Sequence, residues 1–492
     1  MQNRIKDFIA GGCIYSEAYE GLVYPRSINA GIGGMAFMVR GEREDMLVAS
    51  TRLGFQGEDR DGWSLCPLSH DNALRLRELF PFTAPSRVLD RRRSFGVGDR
   101  LGIATPGHIR AFLKYDAFPV FAQQSMRELS LTGRSYEDVL DSASFAVFRE
   151  GFRRPFGADG DHLKSFGEIE YALRCGYTMI TLDCSEHIRD DVSAMSADEL
   201  ERTYIPNRTL EERYLDKSFK LGARELFIGR EDFMRMCLTY NEAIDFALEV
   251  YGKYFSSGDG ADLEISIDET AQPTTPAQHF YIADRLFNGG ARPATIAPRF
   301  CGEFQKGIDY MGDLSQFERE LPIHAAIAEH FGYKLSVHSG SDKFSVFKAV
   351  GRYTSGHFHL KTAGTNWLEA MAVIAEHEPE LYRQIHAFAL TVFSAARKYY
   401  HVTTDLSRIP DISGMVNSEL VSLFTMPDAR QLIHITYGLI LNEKDAQGSF
   451  VFRDRLYAAW RRHEKEYAQR LDRHICRHLE TLYSGIEEQE TV

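Results

Sequence analysis

The stretch KLSVHSGSDKF, residues 334–344, runs a short apolar segment straight into a histidine and a cluster of hydrogen-bonding side chains. Leu335 and Val337 alternate with Ser336 and His338, the period of a strand, and Ser339, Ser341, Asp342 and Lys343 follow as loop chemistry. A second cluster lies in GADGDHLK, where Asp159, Asp161, His162 and Lys164 crowd a glycine-broken segment expected to form a loop after a strand. With the adjacent Asp268 and Glu269, and with Glu303, these residues supply mixed imidazole and oxygen donors of the kind that hold Zn, Mn, Ni or Fe. They also leave carboxylates over for proton transfer. Arg299 and Lys361 are cations suited to an anionic substrate, arginine through its planar fork, with an ordinary ion pair as the alternative role for either. A satisfied core histidine is the corresponding alternative for His338.

Scattered residues of this kind act together only if the fold brings them to one place. Strand-like segments with polar C-terminal ends recur from Ser94 onward: LGIAT, FPVFAQQ, TMITLDC, LEISIDE, ATIAPRF, KLSVHS and HFHLKT. Helical stretches intervene, among them 166–174, 276–287 and 323–330, and strand-helix alternation implies a parallel sheet. The expected fold is α/β, a (β/α)8 TIM-like barrel, whose strand ends converge on one face and would gather Asp183, Asp268, Arg299, His338 and Lys361. A doubly wound open sheet is the alternative. Residues 1–93 read as a mixed α/β lobe with a hairpin around Gly41-Glu42-Arg43-Glu44, and 94–440 as the catalytic barrel. A helical insertion is expected near 185–260, and 441–492 should form a C-terminal helical region packing on the barrel. Leu471, Ile475, Leu479 and Leu482 mark an apolar helix face there, with Gly485 as its expected stop.

The 492 residues carry a formal net charge of −13, which argues against a general nucleic-acid surface; the densest basic run is only Arg91, Arg92 and Arg93. Seven cysteines without a Cys-x-x-Cys pair predict a reducing interior and no disulfides. The N-terminus lacks a secretory apolar core, and no run of about 18 apolar residues occurs, so a cytoplasmic protein without a membrane span is expected.

Two other motifs carry less. Gly96, Gly98 and Gly102 form G-x-G-x-x-x-G, the wrong register for a dinucleotide loop, so this stretch reads better as a loop placing Asp99, Arg100, Thr105 and His108 near a polar ligand. His474 and His478 stand four apart on a helix and could share a metal, but their charged neighbours make surface decoration the expected role.

The ordered motifs SFGVGDRLGIATPGH, GADGDHLK, ISIDETAQPTTP, APRFCGEFQKGIDY, SVHSGSDKFSV, HLKTAGTNWLEA, ARKYYHVTTDLSRIP and DARQLIHITYG resemble the tagaturonate epimerases of hexuronate catabolism over roughly residues 94–440. The resemblance implies a divalent-metal-dependent enzyme on a barrel scaffold that interconverts D-tagaturonate and D-fructuronate, with Zn, Mn, Ni, Co or Fe as its metal. It places the metal on His162, Glu303 and His338 and the acid/base pair on Asp161 and Glu269, with Asp268 as the competitor for either role. Asp99, Arg100, Arg299, Ser339, Asp342, Lys343 and Lys361 are the candidate substrate contacts, and the expected partner is a small sugar acid. The two ketouronates differ at the carbon two removed from the ketone, which simple enolisation does not reach; retro-aldol cleavage and re-addition is the preferred route, with a hydride or direct proton route as the alternatives. The competing classes are a metal-dependent aldolase or lyase acting on a sugar acid, and a non-catalytic sugar-acid-binding protein.

Overall fold

The computed structural model describes residues 1–490 apart from 32, 223 and 259. Eight parallel strands close into a barrel: β1 (Arg93–Gly96), β2 (Phe118–Ser125), β3 (Gly157–Leu163), β4 (Met179–Asp183), β5 (Asp262–Ile267), β6 (Thr295–Pro298), β7 (Lys334–Val337) and β8 (Phe358–Lys361). Each pairs with the next in chain order, and β8 closes on β1. A helix follows every strand, so the fold is the expected (β/α)8 barrel.

The period-two pattern explains how these strands are buried. On β7, Leu335 and Val337 face outward into the apolar layer shared with the surrounding helices, which includes Phe317, Leu321 and Phe347. Lys334 and Ser336 face the other way, into the lumen. Barrel lumens are usually filled by branched aliphatic side chains, but here Ser94, Asp159, Thr181, Glu264, Thr295, Lys334, His359 and Lys361 form a buried polar network. Thr295 donates to Glu264 at 2.6 Å, Thr181 to Asp159 at 3.0 Å, and the Lys334 ammonium to Ser94 at 2.6 Å. Buried polar groups need partners, and these side chains find them in two groups, Lys334 with Ser94 and His359, and Thr295, Glu264 and Thr181 with Asp159 and Lys361.

Two strands differ from expectation. LGIAT forms no strand, because the Asp99 carboxylate accepts the amide N–H groups of Leu101, Gly102, Ala104 and Thr105 and curls the segment into the helix Thr105–Phe112. GADGDHL is itself β3 rather than a loop; its small residues admit close packing, since a Cβ on Gly160 would lie 3.0 Å from Ala172 and Leu163. RSFG supplies the remaining strand, β1.

Ahead of the barrel, five antiparallel strands form a separate sheet, in which Gly34–Arg40 pairs with Asp45–Ser50 across the 41–44 turn. The long connection after β4 holds the expected helices, Ala197–Thr203, Arg208–Tyr214 and Arg230–Tyr254, and in addition a hairpin, Lys217–Leu221 with Arg224–Ile228. Beyond β8 the chain is helical and builds a second core around Trp367, Tyr437 and Trp460. Its last helix, Glu464–Glu490, runs through Gly485 instead of stopping there. A Cβ at Gly485 would sit 2.0 Å from the Lys348 carbonyl oxygen, so this glycine permits close packing on the helix Phe344–Tyr353. The seven cysteines are free thiols, and no helix among the described residues is long and apolar enough to cross a membrane.

Candidate active site

The C-terminal ends of the strands open into a cavity of about 570 Å³, lined among others by Asp161, His162, Asp268, Glu269, Glu303, His338 and Lys361. His162, one residue before the end of β3, lies in a break in register with β4 and has a left-handed backbone, φ 55°. Ser339, after β7, is left-handed too, φ 49°. Such conformations cost about 1–3 kcal/mol each in non-glycine residues and cluster at functional sites.

His162, Asp268 and His338 each direct a ligand atom to within 4.8 Å of the other two. Their orientation is fixed from behind. The Nδ1–H of His162 donates to Asp161 at 2.8 Å, which turns Nε2 toward Asp268 at 3.6 Å. His338 Nε2 lies 2.7 Å from Glu264, leaving Nδ1 at 3.2 Å from Asp268 and without a hydrogen bond. A buried imidazole nitrogen with no bond, facing a carboxylate and a second imidazole, is a donor set that fits a divalent cation.

The electrostatics are those of a tightly packed set of opposite charges. Burial opposes ionisation of Asp161, but Lys361 and His162 outweigh it and hold the carboxyl well below the usual carboxylate range. Asp268 is depressed in the same way against burial, by His338 and His162, and Glu264 by Lys361 and His338. At Asp159 burial prevails, despite the pull of Lys361, and the carboxyl is pushed up to about 6. Lys361 lies at the centre of this group, 2.8 Å from Asp159 and 3.2 Å from Glu264, and in contact with Asp161.

Glu303 lines the cavity outside the three-residue group, with its carboxylate 3.3 Å from the Arg299 guanidinium. Glu269 also lines it and has no ion-pair partner among the described residues. Arg100 and Ser339 are wall residues, Arg100 being buried against Glu128. Asp99, Asp342 and Lys343 do not line the cavity. Asp99 accepts backbone amides, Asp342 pairs with Arg430 at 2.5 Å, and the Lys343 ammonium donates to the carbonyls of Gln305, Ile308 and Ser341. Asp183 caps the Ser185 amide and pairs with Lys164.

His474 and His478 are not surface decoration. His478 is fully buried; its Nδ1–H donates to the His474 carbonyl at 2.8 Å and its Nε2 accepts the Asp342 amide at 3.0 Å. Although Asp342, His474 and His478 lie close enough to share an ion, both nitrogens of His478 are already in use. The group latches the last helix to the loop after β7. Glu264 and Arg127 also belong to the site although no motif in the sequence names them; the alternation of Glu264, Ser266 and Asp268 along LEISID is a polar face that marks the first.

Three comparisons bear on identity. A family model described as tagaturonate epimerase matches residues 24–482. A tagaturonate/fructuronate epimerase of Thermotoga maritima is 38% identical over 480 residues, covering 95% of this chain and 98% of that one. Crystal structures of a fructuronate-tagaturonate epimerase from Cohnella laeviribosi, native and with one glycerol, superpose with a TM-score of 0.93 at 47% identity, covering 98% of this chain and 99% of theirs. The barrel, its strand-end cavity and these matches along nearly the whole length lead to one conclusion: the chain is a carbohydrate epimerase and belongs to the tagaturonate epimerase family.

Proposed function

We propose that this enzyme interconverts D-tagaturonate and D-fructuronate and depends on a divalent cation held by His162 and His338, with Asp268 and Glu303 as oxygen donors. The observation that carries this reading is the convergence of His162, Asp268 and His338 on one point of the cavity, with each imidazole oriented by a carboxylate behind it. When bound, the cation supplies a Lewis acid for oxygen charge that develops on the substrate.

The chain's own residues perform the proton transfers. Asp161, kept ionised by Lys361, and Glu269, at the open side of the cavity, are the acid/base pair. One carboxylate takes the proton of the hydroxyl on the carbon β to the ketone. The bond between that carbon and the α carbon then breaks, with its electron pair going to the ketone fragment as an enolate. The aldehyde fragment turns over, the bond re-forms on its other face, and the proton returns to the new alkoxide. Lys361 holds positive charge beside Asp159, Asp161 and Glu264 throughout, so three acidic groups coexist in the lumen.

The test is NMR of D-fructuronate incubated with purified protein, with and without a chelator. Tagaturonate should appear without a nicotinamide cofactor, vanish with the chelator and return when metal is restored. Release of free fragments instead would favour an aldolase, and absence of product after loading with Mn, Zn, Ni or Co would overturn the activity.

A further inference from the structure

Five lysine or arginine side chains line the cavity, Arg100, Arg127, Arg299, Lys306 and Lys361, and three of them are neutralised by the protein itself. Lys361 sits among Asp159, Asp161 and Glu264. Arg299 lies 3.3 Å from Glu303 and donates to the Thr270 carbonyl. Arg100 is buried against Glu128, with its guanidinium 4.3 Å from the centre of the Tyr437 ring.

Lys306 and Arg127 are different. Neither has a carboxylate within ion-pair distance among the described residues. The half-buried Lys306 ammonium has one hydrogen bond, to Ser339 Oγ at 3.2 Å, next to the His338 turn. Arg127, more exposed, contacts the Tyr399 carbonyl at 3.3 Å and lies over the Tyr400 ring at 4.8 Å. Lys306 comes from the loop after β6 and Arg127 from the helix after β2, so two separate barrel connections deliver positive charge to one cavity without a direct ion pair among the described residues. Burial holds the Lys306 ammonium below the ordinary lysine value; the Glu128 carboxylate pulls the other way and the Arg127 and Arg100 guanidiniums add to the depression, and an anion placed beside it would relieve that cost.

We infer that Lys306, supported at the rim by Arg127, binds the substrate carboxylate and makes the enzyme prefer uronates over neutral ketohexoses. This rests on the proposed activity, because it needs a substrate with a carboxylate at the end away from the reacting carbons. Charge-assisted bonds to a carboxylate are roughly twice as strong as neutral ones, so a substrate with CH2OH in that place forfeits much of the contact. Arg299 and Lys361, the cations first expected in this role, are already engaged by carboxylates of the protein.

The experiment compares D-fructuronate with D-fructose, its neutral counterpart, on the metal-loaded enzyme, using kcat/KM for fructuronate and turnover or competitive inhibition constants for fructose. In Lys306→Met the preference for the uronate should fall at least about tenfold, mainly through KM, and Lys306→Arg should restore most of it. Arg127→Met should give a smaller loss in the same direction. An equal decline for both sugars, or an unchanged preference in Lys306→Met, would overturn the assignment. A wild-type enzyme that leaves fructuronate unchanged would defeat the activity reading alone. In that event calorimetric binding of fructuronate against fructose to the same variants decides: an unaltered binding preference in Lys306→Met rejects the carboxylate site, and a collapsed one upholds it.

Discussion

His338 Nε2 lies 2.7 Å from Glu264 Oε1 in the barrel lumen, and because a carboxylate can only accept, the imidazole donates there and presents Nδ1 to the cavity. The ring's tautomer and direction are therefore set one layer beneath the site. Glu264→Gln should weaken metal binding by about 10- to 100-fold, the usual range for an outer partner of a metal-bound histidine. Competition with a chromogenic chelator measures it, and unaltered affinity in a folded variant would show that His338 needs no such support.

Metal content should be one ion per chain. His162→Ala and His338→Ala should each lose it, whereas Asp342, His474 and His478 should take none, because His478 spends both ring nitrogens on backbone groups. Elemental analysis decides. A full equivalent retained in both histidine variants would move the metal elsewhere.

Asp161→Asn and Glu269→Gln should keep the metal while turnover falls by about 10²- to 10⁴-fold, the range for a lost general acid or base. Near-normal rates would remove either residue from the chemistry. Loss of metal from Asp161→Asn would instead confine that residue to orienting His162.

Epimerisation in deuterated water should leave protium on the epimerised carbon, since that carbon becomes an aldehyde carbon on cleavage and never gives up its hydrogen. NMR of the product reads this directly, and extensive deuterium at that position would exclude the cleavage route.

Lys334 is buried at the far end of the lumen, and burial pushes its ammonium down to about 7. The unfolded chain then holds this proton more tightly than the folded one between about pH 7 and the unperturbed lysine value near 10.4. The resulting penalty is complete below pH 7 and is relieved as pH rises through that window, at roughly 1.4 kcal/mol per unit of depression. Denaturation of wild type against Lys334→Met should show the wild type gaining stability relative to the variant from pH 7.5 to 9.5. A flat difference would mean that Ser94 and the Arg91 carbonyl fully compensate the charge.

Much of this molecule was legible along the chain. Short apolar runs with polar C-terminal ends identified β2 and β4 to β8, with period-two alternation explicit in β7, because such patterns are local properties of a strand. The motifs carrying His162, Asp268, Glu303 and His338 were equally visible, since residue type and neighbours are local too. Tertiary structure decided the rest. Whether Asp99 caps a turn or faces a ligand depends on which amides approach it, and whether His478 is exposed depends on what the last helix packs against. β1 and β3 escaped notice because their lumen faces carry Ser94, Asp159 and Asp161, polar residues that a strand buries only when a closed barrel supplies partners from across the lumen. The same closure determines which cations remain free: carboxylates from distant strands, Asp159, Asp161 and Glu264, neutralise Lys361, and Glu303, four residues along the same loop, meets Arg299, while Lys306 is left facing the cavity.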